Sequence, residues 1–238
     1  MTKDRLLRKL EYRPEFSQLL RNNLATLRPP HSVAFRYISD ELERSDEAHA
    51  WVNAPRSLIL VVNSGQKPLQ PNEASETVEF SARMLDHCSH NMKDAVVLNW
   101  CCTMSYGKDN GLRMVSHLIG QALSHPLADF AYLDISLNTG RLVLDFTQRL
   151  AILDQALSGL LKRAPVVVVI DSVDVYEGPG KENMYVGAAL TRLEEMAEWA
   201  YERGKFPLKI MITSTAVFKP LGKVVGITRM LNVPPEVV

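Results

Sequence analysis

A run of five consecutive aliphatic residues, Val166–Ile170, ends at Asp171 and constrains the fold more than any other feature of the sequence. The run contains no alternation of polar and apolar residues, so both faces of the strand that it predicts must be buried. A strand that is buried on both faces is typical of a parallel sheet with helices packed against each side. We therefore expect this segment to be a central strand of an α/β domain.

Short apolar segments alternate with longer amphipathic segments from residue 57 onward. Strands are predicted at Ser57–Asn63, Ala95–Cys101, Pro165–Asp171, Leu208–Ser214 and Val224–Leu231. Helices are predicted at Glu73–His90, Leu112–Ser124, Asp145–Arg163 and Tyr185–Arg203. This alternation predicts a parallel sheet that is covered by helices on both faces.

The amino-terminal part of the chain has a different pattern. Leucines recur there at three- and four-residue steps between basic residues, as in amphipathic helices. A helical region that Pro14 either divides or starts is expected before Pro29, and a second helix is expected over Ser32–Ala50. We therefore predict a helical lead-in over residues 1–52 and an α/β domain over residues 53–238.

The charge balance and the cysteines limit the classes of partner. Lys plus Arg and Asp plus Glu both number 27, so the net charge is zero and gives no basic surface for nucleic acid or anionic membrane. Weak charge repulsion favours self-association or a bound protein. Three cysteines, two of them adjacent, do not indicate a disulfide framework. We predict a cytoplasmic protein with a protein partner or a second copy, and with neither nucleic acid nor membrane as a partner.

Polar residues follow two of the predicted strands. Asp171 ends one strand, with Asp174 three residues later, and Thr213 lies near the end of the next strand. A carboxylate at the carboxyl end of a parallel strand is where P-loop enzymes hold Mg²⁺ beside nucleotide phosphates. Aspartate is also common in turns that bind no ligand. The pattern alone leaves both interpretations open.

The segment Ile170-Asp-Ser-Val-Asp-Val-Tyr-Glu-Gly178 resembles the Ile-Asp-Gly-Leu-Asp-Glu motif of NACHT-type P-loop NTPases of the STAND class, especially their large fungal group. Val96–Trp100 is similar to the second strand of that family, and Lys209–Thr215 is similar to its sensor strand. The resemblance covers most of the chain. It implies a three-layer P-loop NTPase-like fold with a five-stranded parallel sheet, in which the Walker B strand lies beside the sensor strand.

The sequence departs from this family at the phosphate-binding loop. A working P-loop reads Gly-x-x-x-x-Gly-Lys-Ser/Thr, and its lysine contacts phosphate while its hydroxyl holds Mg²⁺. Counted from Gly65, Gln70 stands at the second glycine, Pro71 at the lysine and Asn72 at the hydroxyl position. We therefore expect the Walker A motif to be degenerate.

Two further positions depart from the resemblance. Val175 stands where the family has its catalytic glutamate, and Thr215 stands where it has the sensor arginine. Charged groups of this kind change phosphoryl-transfer rates by factors of about 10³–10⁵, so hydrolysis should be negligible. We expect a pseudo-NTPase with no catalytic residue and no cofactor, which acts as a protein-interaction, regulatory or scaffold module.

Two alternatives stay open at this point. The chain could bind ATP or GTP with Mg²⁺ as a hydrolysis-deficient STAND-type switch, or it could hydrolyse nucleotide through an unorthodox loop. In the first alternative, Asp171 and Asp174 would hold Mg²⁺. The vestigial nucleotide site would then consist of Asn63, Ser64, Gly65, Lys67, Asp171, Asp174 and Thr213.

Overall fold

The computed structural model describes most of the α/β region and parts of the lead-in. The described residues are 2–15, 44–63, 77–92, 94–102, 110–133, 144–173, 181–214 and 228–232. The helices within them are α1 (Lys3–Lys9), α2 (Asp46–Asn53), α3 (Thr77–Asn91), α4 (Asn110–Ser124), α5 (Phe146–Leu160) and α6 (Lys181–Glu202), with a 3₁₀ turn at Phe130–Tyr132. The strands are β1 (Leu58–Asn63), β2 (Val96–Cys101), β3 (Val166–Asp171), β4 (Leu208–Ser214) and β5 (Thr228–Asn232).

The five strands form one parallel sheet in the order β2-β3-β4-β1-β5. β1 therefore lies between β4 and β5, whereas in the flavodoxin-like order it lies between β2 and β3. β3, which ends in Asp171, pairs directly with β4, the predicted sensor strand. The predicted fold class, a five-stranded parallel sheet of P-loop NTPase-like topology, is confirmed.

The predicted elements agree with the structure to within a few residues at most ends. β4 has the predicted bounds, and the other described strands begin or end within one to four residues of them. The helix predicted at Asp145–Arg163 begins one residue later because Asp145 is its N-cap, in a capping box with Gln148. Most of the helix predicted over Ser32–Ala50 lies outside the described residues. The described part of the chain resumes at residue 44, and Ser45 is the N-cap of α2.

The sheet is buried between two layers of helices. Val166, Val168 and Ile170 of β3 pack into an apolar cluster with α4, α5, α6 and Leu6 and Leu10 of the lead-in. The alternate residues Val167 and Val169 pack with α2 and α3 on the opposite face. Successive side chains of a strand point to opposite faces, so the uninterrupted aliphatic run of β3 supplies both layers. No described helix is both long and apolar enough to cross a bilayer.

The helix α2 is held to the sheet by polar contacts within an apolar layer. The indole Nε1 of Trp51 donates a hydrogen bond to the carbonyl oxygen of Leu58 at 3.1 Å. Lys209 of β4 is only 2% exposed, and its ammonium group donates to the carbonyl oxygen of Val52. Burial lowers the pKa of Lys209 below its ordinary value. These contacts attach the end of the lead-in to β1 and β4.

The segment after α1 crosses α4 at a point where only glycine fits. A Cβ atom at Gly120 would lie 2.1 Å from Cδ2 of Tyr12. The ring of Tyr12 also contacts His117 edge-on, one turn earlier on α4, with 5.3 Å between the ring centroids. The absence of a side chain at Gly120 therefore lets the lead-in approach the backbone of α4.

We predict that Gly120→Ala lowers the free energy of unfolding by roughly 1–3 kcal/mol, because the added methyl group overpacks the contact with Tyr12. Gly159→Ala is the matched control, since nothing lies within 4 Å of a Cβ at that position of α5. The control should raise the free energy by about 0.5–1 kcal/mol through helix propensity. Urea denaturation measures both changes. Equal stabilisation by the two substitutions would show that Tyr12 does not pack on Gly120.

Candidate functional site

Two of the predicted site residues meet at the carboxyl edge of the sheet. Asp171 is the last residue of β3, and Thr213 lies beside it on β4 because Ile170 is in register with Ile212. The hydroxyl group of Thr213 donates a hydrogen bond to Oδ1 of Asp171 at 2.6 Å. Both residues are completely buried. The chain therefore forms a polar site at the edge that the sequence indicated.

The carboxylate of Asp171 is surrounded by the hydroxyl groups of four residues. Besides Thr213, Ser81 donates to Oδ1 at 2.8 Å and Ser172 donates to Oδ2 at 2.7 Å. The hydroxyl of Thr77 lies 3.0 Å from Oδ1 and 3.0 Å from the hydroxyl oxygen of Thr213. We call Asp171 and these four residues the hydroxyl cluster. All five members are 0% exposed.

Thr77 and Ser81 are the members that the sequence reasoning missed. They lie four residues apart in the first two turns of α3 and therefore share one face of that helix. Their face also carries buried apolar residues such as Phe80 and Leu85. The pattern of this helix therefore predicted packing against the core and gave no indication of a polar site. Two hydroxyl residues at this spacing, facing a strand that ends in aspartate, are the signal that could have identified them.

The position of Thr77 can be compared with that of the hydroxyl residue of a P-loop. In P-loop NTPases the loop serine or threonine and the Walker B aspartate hold the same Mg²⁺, so the two residues lie close together. Here Thr77 begins the helix after β1 and contacts Asp171. The count from Gly65 put Asn72 at this position, and Asn72 lies outside the described residues. The contact with Asp171 supports Thr77 as the equivalent residue.

The other predicted site residues do not join the hydroxyl cluster within the described part of the chain. Asn63 ends β1 and is buried, but it continues the alternation of Ile59 and Val61. It therefore lies toward the face opposite Asp171 and Thr213. Ser64, Gly65, Lys67 and Asp174 lie outside the described residues.

Ser172 has a backbone conformation that glycine adopts more easily. Its φ is +59°, in the left-handed region, which costs a residue with a side chain about 1–2 kcal/mol. Two hydrogen bonds hold Ser172 in this conformation. Its backbone N–H donates to the Thr213 hydroxyl at 3.0 Å, and its own hydroxyl donates to Asp171. The strained residue is therefore fixed by the same cluster.

Burial raises the pKa of Asp171 above its ordinary value, and the hydrogen bonds from the four hydroxyl groups oppose this shift. Neither lysine nor arginine of the described residues hydrogen-bonds to the carboxylate. The remaining close donor is the thiol of Cys101, 3.6 Å from Oδ2. Since the folded-state pKa lies above 3.8, the contribution of Asp171 to stability is largest in acid and is lost as the pH rises through that pKa.

The hydroxyl cluster, as the described residues form it, leaves no open coordination position for a magnesium ion. Mg²⁺ in such sites keeps several water molecules and requires near-octahedral geometry. Both oxygens of Asp171 already accept hydrogen bonds from protein groups, and no member of the cluster is exposed. Thr77 and Asp171 are the residue types that hold Mg²⁺ in P-loop proteins, but both are completely buried here. Metal binding would require the cluster to open.

No protein-family model matches the sequence, and no curated protein matches it. Among solved structures, a chain of Drosophila ORC bound to GC-rich DNA and Cdc6 aligns with 11% identity and a TM-score of 0.47, over 87% of this chain and 62% of that one. The Aeropyrum pernix ORC1 protein in complex with DNA aligns with 14% identity and a TM-score of 0.39, over 85% of this chain and 44% of that one. The chain thus spans less than two thirds of either structure. These are distant likenesses of fold, and the strand order is what defines the P-loop NTPase-like topology.

We predict that Thr213→Val lowers the free energy of unfolding by about 2–4 kcal/mol. The substitution preserves side-chain shape but removes a donor from Asp171 and an acceptor from the Ser172 N–H, and each buried group left without a partner costs about 1–3 kcal/mol. Thr213→Ser is the matched control, because it keeps the hydroxyl and loses one buried methyl group, which costs about 1 kcal/mol. Chemical denaturation measures both variants. A valine variant as stable as the serine variant would show that the cluster does not stabilise the fold.

Proposed function

We propose that this chain is a pseudo-NTPase, a P-loop NTPase-like module that does not hydrolyse nucleotide and acts in protein interaction, regulation or scaffolding. The observation that carries the proposal is the closed hydroxyl cluster. The carboxylate that would face Mg²⁺ in an active enzyme is buried, and its two oxygens accept hydrogen bonds from Ser81, Ser172 and Thr213. In this proposal, hydroxyl groups of the protein contact the carboxylate where Mg²⁺ would contact it in an active enzyme.

The sequence before Thr77 supports the proposal. The P-loop lysine directly precedes the serine or threonine that holds Mg²⁺. If Thr77 is that threonine, the lysine position is Glu76, and if the loop is counted from Gly65 it is Pro71. Both alignments therefore lack the lysine, and the first puts a negative charge where phosphate oxygens would lie. Without this lysine, the site lacks the side chain that normally contacts the β- and γ-phosphates.

Kinship with the NACHT group of STAND-class proteins, and with its fungal members, is part of the proposal. The motif Ile-Asp-Gly-Leu-Asp-Glu has glycine at the position of Ser172. The left-handed φ of +59° at Ser172 is the conformation that glycine adopts without strain. A backbone that retains the glycine conformation after the glycine is replaced supports descent from a motif of this kind.

The second candidate function is nucleotide binding without hydrolysis. It is favoured by the contact of Thr77 with Asp171, since these are the residue types that hold Mg²⁺ in P-loop proteins. Asn63, Ser64, Gly65 and Lys67 would then contribute from the β1 side, and Asp174 would join Asp171 as a metal ligand. This function requires the hydroxyl cluster to open when nucleotide binds.

A protein partner or a second copy of the chain remains the proposed ligand, and a cytoplasmic location remains the proposed site of action. The balanced charge of 27 basic and 27 acidic residues is the argument against nucleic acid and anionic membrane. The exclusion of nucleic acid stays a prediction, and DNA is present in both solved assemblies named above.

Thermal unfolding and calorimetric titration with 1 mM MgATP and MgGTP test the proposal. A nucleotide at 100 times its dissociation constant would raise the free energy of unfolding by about 2.7 kcal/mol. For a chain of this size that corresponds to a shift of roughly 5–10 °C in the midpoint. We predict no shift, no binding heat and no phosphate release, and we predict that EDTA leaves the midpoint unchanged.

Two variants separate the alternatives in the same experiment. A midpoint shift without phosphate release, lost in both Thr77→Val and Asp171→Asn, would replace the proposal by the nucleotide-binding alternative. Magnesium-dependent phosphate release that Asp171→Asn abolishes would contradict both functions. Arg203→Gln, an exposed charge change just after α6, controls for non-specific effects of altered charge.

A further inference from the structure

A cavity of about 110 Å³ lies on the face of the sheet opposite the hydroxyl cluster. It is enclosed by the end of β2, the first turns of α4, the start of α5 and the segment after α1. A cavity measured in this way needs about 10–15 Å³ to hold one water molecule, so this one is several times larger than a single water requires. The cavity can therefore hold a small polyatomic group, and nothing in the proposed function uses it.

Three guanidinium groups line this cavity, from Arg13, Arg113 and Arg149. Arg149 is 6% exposed and is held in place by hydrogen bonds from Nε to the Leu144 carbonyl oxygen at 3.1 Å and from Nη1 to the Ser116 hydroxyl. Arg13 and Arg113 are exposed, and neither forms an ion pair within the described part of the chain. One buried and two exposed positive charges therefore converge on one small space.

Trp100 provides an independent indication of a missing ligand. Its side chain lines the cavity and is 5% exposed, yet its indole Nε1 has no hydrogen-bond acceptor among the described residues. A buried N–H group without an acceptor costs roughly 1–3 kcal/mol, so such groups are rare in folded proteins. An anion in the cavity would supply the acceptor that the protein does not.

The remaining polar residues of the lining are His117, Ser116 and Glu11. Burial lowers the pKa of His117 to about 4, so the ring is neutral at pH 7. Ser116 contributes a hydroxyl that already contacts Arg149. Glu11 is the acidic residue of the lining, and it is exposed. Glu15 adds a second negative charge near His117. Three positive charges against two negative charges leave a positive excess around the cavity.

We propose that this cavity binds a tetrahedral oxyanion of the phosphate class, either free or as the phosphate group of a small molecule. Donors come from four separate elements, namely β2, α4, α5 and the segment after α1. A tetrahedral anion has oxygens that can meet donors from several directions, whereas a planar carboxylate is matched by one guanidinium fork. The site is separate from the Asp171 cluster, so it stands whether or not the pseudo-NTPase proposal does.

Nuclear magnetic resonance of the three tryptophan indole N–H groups tests this proposal. The full chain is titrated with inorganic phosphate up to 20 mM at pH 7.5 and constant ionic strength, with the indole signals assigned through bonds. We expect a saturable shift of the Trp100 signal, because its N–H gains an acceptor. The Trp51 signal should not move, since its N–H already donates to Leu58. Sulfate should act like phosphate, and acetate should not.

Charge variants in the same titration identify the residues that bind the anion. Arg113→Gln should weaken phosphate binding roughly tenfold or more, because a charge-assisted hydrogen bond is lost at an exposed position where folding is not at risk. Arg203→Gln removes the same charge elsewhere on the surface and should leave the affinity within twofold. A static Trp100 signal, an equal response to acetate, or equal weakening by the two variants would each overturn the proposal. Phosphate bound in the Asp171→Asn variant with unchanged affinity would support two separate sites.

Discussion

The burial of the Asp171 carboxylate constrains which groups can surround it at the carboxyl edge of the sheet. A charge that is completely buried at the end of a central strand must be neutralised by a cation or solvated by polar groups. In a P-loop NTPase, a bound magnesium ion supplies the cation. Here hydroxyl groups of α3, β4 and the residue after β3 supply the solvation, with hydrogen bonds of 2.6–2.8 Å from Thr213, Ser172 and Ser81. One side chain thereby joins a helix to two strands.

This arrangement links the fold to the proposed loss of nucleotide hydrolysis. The first turn of α3 is the place where an NTPase presents its loop hydroxyl to the metal, and Thr77 instead contacts Asp171 and Thr213 directly. An exposed magnesium site has to keep water and phosphate within reach, but all five members of the closed cluster are buried. The strained conformation of Ser172 is maintained by the same contacts. A structural role for the cluster and a catalytic role therefore oppose each other.

The sequence predicted the layered sheet and the location of its polar edge, because both follow from local patterns. The aliphatic run Val166–Ile170 specified a strand buried on both faces, and its terminal Asp171 marked the carboxyl edge. Thr77 and Ser81 could not be assigned, because their role depends on how α3 packs against Asp171 of β3, which lies 94 and 90 residues later in the chain. The face on which Asn63 lies depends on where β1 begins, and a one-residue difference in register reverses it. Long-range packing, which no local pattern encodes, decided these positions.

Titration of the Asp171 carboxyl carbon by nuclear magnetic resonance tests most directly whether hydroxyl groups have replaced the metal. With burial and no contacting cation, the pKa of Asp171 should lie above 3.8 and should not change when Mg²⁺ and ATP are added. An active magnesium site would instead hold the carboxyl group ionised, and Mg²⁺ would lower the pKa further. A decrease in the pKa of Asp171 on addition of Mg²⁺ and ATP would contradict the closed hydroxyl cluster.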